Sequence, residues 1–110
     1  MTVQTLLDNH LFQVLVTGNS ERKISNVFCC DLLSIAMGKA PADCGWVTVM
    51  GNINTLAVAS LTDTSCIVLA EGVSLDAAAI EKAKSIGITV FTTEQPIFDT
   101  ALQIYQLLQL

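Results

Sequence analysis

The stretch from Gly45 to Gly72, GWVTVMGNINTLAVASLTDTSCIVLAEG, limits the possible folds more than any other part of the chain. WVTVM is rich in β-formers and CIVLA is a short unbroken apolar run, so both read as strands. Between them, a glycine-bearing turn leads into NTLAVASLTD, which buries most of its surface if it forms two helical turns. A connection of about a dozen residues is too long for a tight hairpin and suits a helical crossover, so the two strands are expected to be parallel neighbours. Trp46, Thr48 and Met50 share one face of the first strand. The core is the expected place for Trp46; the alternative is a stacking surface for a base.

The flanking segments repeat this alternation. Thr2 is placed to cap a short helix over Val3–Asn9. LFQVLVTG reads as a first strand, NSERK as a polar turn and ISNVFCC as a second strand. Asp31 is positioned to cap a helix over Leu32–Met37, with Gly38 as its left-handed terminator. KAPADC, marked by Pro41, is the candidate mobile loop. After Gly72, Ser74 and Asp76 open a helix on which Leu75, Ala78, Ala79, Lys82 and Ile86 follow helical spacing, and Gly87 ends it. ITVFTT is a further strand, and Pro96 fits the first position of a last helix. That helix carries two apolar stripes, Ile97, Ala101, Ile104 and Leu108, and beside them Phe98, Leu102 and Tyr105. Strands alternating with helices predict an α/β fold: one domain over residues 1–110, with a mostly parallel sheet of about five strands and helices on both faces.

Composition narrows the function. Hydrophobic residues make up 52% of the 110 and charged ones 14%, so apolar side chains outnumber the places a small core offers. Net charge is −5, and the five bases (Arg22, Lys23, Lys39, Lys82 and Lys84) form no stripe, which argues against a nucleic-acid partner. No apolar run reaches membrane-spanning length, and MTVQTLLDNH has no charged start or apolar signal core, so a cytoplasmic location is expected. Four cysteines then read as reduced thiols rather than a disulfide framework. Cys29 and Cys30 are adjacent and face opposite ways on a strand, and Cys66 begins a buried strand; at least three of the four read as inert small hydrophobes, and Cys44, placed in a loop, is the one to test for reactivity.

In its order of elements the chain resembles the DRTGG domain family. The residues that carry the likeness are VFCCDLLSIAMGKA, GNINTLAVAS, CIVLAEG, the helix around AAAIEKAKSIGITVF and the closing TTEQPIFDTALQIYQLL. Members are small α/β domains found alone in bacteria and archaea, and inserted in phosphotransacetylases and regulated pyrophosphatases. They are similar to the N-terminal domain of HPr kinase/phosphorylase. Where a member places an Asp-Arg pair after the glycine, this chain has Asn52 and Ile53. The resemblance implies a regulatory or interaction module, and no phosphate-binding GxxxxGK[ST] occurs.

A parallel sheet binds ligands beyond the carboxyl ends of its strands. There the candidates are Asp31, then Gly51, Asn52 and Asn54, then Glu71 and Gly72, then Thr92, Thr93 and Glu94. Gly51-Asn52 opening a helix suits an anion; the alternative is that Asn52 or Asn54 only caps the helix. Asp31 with Glu71 or Glu94 is either an acid–base or cation pair, or Asp31 is a plain cap. His10, the single histidine, has no ligand-spaced partner, and Ser34, Ser60 and Ser65 lack a GxSxG turn, so no catalysis, metal or cofactor is expected. The leading expectation is a non-catalytic regulatory or protein-interaction module that forms a homodimer through Phe98, Leu102 and Tyr105 and has room for a further protein partner. The alternative is a sensor of an anionic or nucleotide-like ligand at the strand ends.

Overall fold

The computed structural model describes all residues, Met1–Leu110. The elements in chain order are α1 (Val3–Asn9), β1 (Gln13–Val16), β2 (Asn26–Cys29), α2 (Leu33–Lys39), β3 (Cys44–Thr48), α3 (Ile53–Leu61), β4 (Cys66–Leu69), α4 (Ala77–Ile86), β5 (Thr89–Thr92) and α5 (Ile97–Leu108). They form one five-stranded sheet in the order β1-β5-β4-β3-β2. The pairs β2–β3, β3–β4 and β4–β5 are parallel, as the crossover between β3 and β4 predicts; β1 alone runs antiparallel, against β5.

Strands β3, β4 and β5 are buried along their whole length, which explains their near-continuous apolar runs. Their side chains divide by the period of two. Trp46, Ile67, Leu69 and Val90 pack with Ala36 of α2, Leu56 and Ala59 of α3, and Ala79 and Ala83 of α4. Val47, Val68 and Phe91 pack on the other face with Val3 and Leu6 of α1 and Ile104 of α5. Phe12 meets Phe91 edge-on, with ring centroids 6.0 Å apart. Helices thus cover both faces. None of them is long and apolar enough to cross a membrane.

Local signals set several boundaries as expected. The Asp76 side chain accepts from Ala79 N at 2.9 Å and caps α4, and Gly87 ends that helix at φ 72°. Three expectations are corrected. Asp31 does not cap α2: Leu32 holds that position, and the Asp31 carboxylate turns to the end of β3 instead. Gly38 does not terminate α2, which runs on to Lys39; Ala40 ends it in extended geometry, as a residue before proline prefers. On α4, Ala79 and Ala83 are buried and Ile86 packs against the same core, whereas Ala78 is exposed, and Leu75 is buried just ahead of the helix.

Candidate functional site

Because β2 to β5 are parallel, the carboxyl-end residues do share one rim. What the structure adds is how each polar group is used. Asp31 Oδ1 accepts from Thr48 Oγ1 at 2.8 Å and from Val49 N at 3.0 Å, so it ties the end of β2 to the end of β3. Asn52 Oδ1 accepts from Asn54 N at 3.0 Å and from Thr55 N at 3.1 Å. Asn52 is therefore the cap of α3, and it occupies the first-turn N–H groups that an anion would use. Asn54 is exposed beside it.

The other half of the rim is folded over by Val73, which the sequence does not mark, and Ser74, which it marks only as part of a helix start. Thr92 Oγ1 donates to Val73 O at 2.6 Å. A Cβ on Gly51 would collide with Ser74 O and Val73 Cγ1, so the glycine lets this segment lie on the start of α3. Thr93 O accepts from Gly72 N at 2.8 Å, and Thr93 Oγ1 accepts from Gln95 N at 3.3 Å. Glu71 and Gly72 are both left-handed, at φ 57° and 72°, and the Glu94 carboxylate lies where a Gly72 side chain would be. The rim residues thus fall in two groups, Asp31 with the end of β3, and Gly51, Val73 and Thr92 together.

At the opposite end of the sheet, Arg22 reaches the loop before β3. Its guanidinium donates to Asp63 O at 2.9 Å and lies 3.5 Å from the Asp43 carboxylate. With Asp63, Thr64, Ser60 and Gly87 it lines a polar hollow of about 130 Å³. His10 is exposed and left-handed (φ 54°) at the end of α1, and no three His, Cys, Asp or Glu side chains converge as metal ligands would.

All four cysteines are free thiols. Cys44 is not in a loop. β3 begins two residues earlier than the apolar run suggests, because Cys44 pairs with Asn26 and its side chain is fully buried. Burial raises the Cys44 thiol above its ordinary value, burial with the Asp31 charge raises Cys29, and complete burial pushes Cys66 up to about 12. A thiol reagent is therefore expected to modify at most Cys29 and Cys30 in the native protein, with Cys44 and Cys66 reacting only after denaturant is added. Early labelling of Cys44 would contradict the buried strand. The raised Cys66 value also sets a pH dependence. The folded state favours the neutral thiol, so stability is intact below pH 9.0 and falls as pH rises from 9.0 through about 12. The urea midpoint should drop over that window, and less steeply in Cys66→Ala.

The second stripe of α5 stands at the surface, with Phe98 71%, Tyr105 54% and Leu102 39% exposed. With Ala101, and with Val27 and Cys29 of β2, these residues line a hollow of about 310 Å³ whose walls are mainly apolar. Periodicity identified the α5 wall; the β2 wall depends on which strand lies at the sheet edge.

Searches by sequence place no family on the chain: no family model matches, and no curated protein matches. A solved structure does resemble it, the crystal structure of the CBS and DRTGG domains of the regulatory region of Clostridium perfringens pyrophosphatase, complexed with the activator diadenosine tetraphosphate. The TM-score is 0.63 at 17% sequence identity, over 91% of this chain and 44% of that one, so the chain spans less than half the length of its neighbour. The likeness is one of fold, and the neighbour is a regulatory region rather than a catalytic domain.

Proposed function

We propose that this chain is a single regulatory domain of the DRTGG type, without catalysis of its own, that works by protein contact. One observation carries the reading: the largest hollow beside the sheet, between α5 and β2, is walled mainly by apolar side chains. Small-molecule sites combine apolar walls with a few convergent polar groups, and this hollow offers only the Tyr105 hydroxyl and the Cys29 thiol among its side chains. The polar groups of the strand-end rim support the same reading, since Asp31, Asn52 and Thr92 are engaged in holding the fold. Four free thiols suit the reducing cytoplasm.

The second reading is a nucleotide or anion sensor. It is favoured by the fold neighbour, whose structure holds diadenosine tetraphosphate. Calorimetry with inorganic phosphate, ATP and diadenosine tetraphosphate separates the two. No heat of binding is expected from any of them. Saturable binding that Asn52→Ala abolishes, with the far-ultraviolet circular dichroism unchanged, would replace the interaction reading with the sensor.

A further inference from the structure

The sheet has two edges, and they differ. β1 carries a register shift between Val14 and Val16, and an irregularity of this kind turns an edge away from further pairing. β2 pairs only with β3, in unbroken register from Asn26 to Cys29. Alternate residues of β2 therefore turn N–H and C=O groups outward. The strand sequence NVFC has neither the lysine nor the proline that commonly blunts an edge.

Both helices beside this edge are apolar on the outside. On one face of the sheet, Phe98, Leu102 and Tyr105 stand next to Val27 and Cys29. On the other face, Leu32 (54%) at the N-cap of α2 and Ile35 (47%) within the helix are exposed. Ala36 of α2 is buried in the core and α3 packs beside α2. A right-handed helix in a right-handed crossover then puts Leu32 and Ile35 on the flank away from α3, over the edge.

We propose that β2 is the assembly edge: two copies pair β2 with β2, antiparallel, about a two-fold axis normal to the sheet. This rests on the interaction reading and names the partner as a second copy of the chain. Such an axis keeps the same face up in both copies, so α5 meets its own copy on one side of the joined sheet and α2 meets its own copy on the other. A ligand or helix seated in the α5 hollow would leave the α2 patch and the open strand bare. An isolated foreign strand would satisfy the backbone but leave both helices uncovered. A partner that continues the sheet and brings apolar helices on both faces covers everything at once, and this chain is such a partner.

Size agrees. The five exposed side chains offer on the order of 500 Å² per copy before strand backbone is added, against about 800 Å² per partner in a standard interface.

The test uses two variants on opposite faces of the sheet, Ile35→Asp and Leu102→Asp, each checked for wild-type circular dichroism. Light scattering across a dilution series should give a dimer mass for the wild type. Each variant should raise the dissociation constant about a hundredfold. Amide exchange over Asn26–Cys29 should slow as dilute monomer is concentrated into dimer. A monomer mass at every concentration overturns the proposal and leaves the interaction reading to a different partner. A dimer weakened by Leu102→Asp but untouched by Ile35→Asp, or one whose β2 amides exchange at the monomer rate, overturns edge pairing. Rim binding in the calorimetric experiment removes the interaction reading without altering either outcome.

Discussion

Trp46→Ala is expected to cost about 3–5 kcal/mol of folding stability, the range for truncating a large buried aromatic. A domain's whole stability is about 5–15 kcal/mol, so the variant sits near the limit of folding. Trp46 is fully buried in the core under α2, α3 and α4, with its ring 6.4 Å from that of Phe28. Its Nε1–H donates to Cys30 O at 3.0 Å, which ties the end of β2 to β3 from inside. Alanine removes the ring and leaves that carbonyl without its donor. Trp46→Phe keeps most of the volume and loses only the donor, and should cost about 1–2 kcal/mol. Urea unfolding at fixed protein concentration reads both. An alanine variant with a wild-type midpoint would mean that Trp46 does not organise this core.

Gly18→Ala should cost about 3 kcal/mol, at the upper end for forcing an added methyl into packed surroundings. A Cβ at Gly18 would collide with the backbone of Gly87 and Ile88, which cannot rotate aside as a side chain does. The contact is fixed from both sides: Gly18 N donates to Thr89 Oγ1 at 2.9 Å, and Asn19 N donates to Gly87 O at 2.8 Å. Gly38→Ala supplies the contrast. Gly38 lies within α2 with open space where its Cβ would be, so alanine there should stabilise by about 0.5–1 kcal/mol. Equal thermal shifts of the same sign for the two variants would contradict the close approach at Gly18.

Elements whose cause is local were legible in the residues. The parallel β3–β4 pair follows from the length and apolarity of the connection, and the ends of α4 follow from Asp76 and Gly87. Features set by distant partners were not. Asp31 has a plausible local use as a cap, and nothing nearby in sequence reveals that Thr48 and Val49 compete for its carboxylate and win. Cys44 looks like loop because the apolar run begins at Trp46; the pairing Asn26–Cys44 is what extends the strand. At the rim, Gly51 and Asn52 were recognisable as a helix start, but the covering by Val73 depends on Thr92, far along the chain. The spare α5 stripe showed in its period, whereas exposed Leu32 and Ile35 did not, because a seven-residue helix beginning beside a strand shows too little periodicity.

The antiparallel seam between β1 and β5 has a kinetic meaning. β3, β4 and β5 are each reached from the strand before by one short helix, so their pairings close small loops and can form early. Val14 opposite Phe91 closes a loop over most of the chain, and that entropy is lost before the seam returns any hydrogen bonds. The central strands are therefore expected to pair first and β1 to dock last, which a lower φ-value at Val14 than at Val68 would show. In native-state amide exchange, β1 is expected to open at a lower free energy than the β3–β4 ladder at the centre of the sheet.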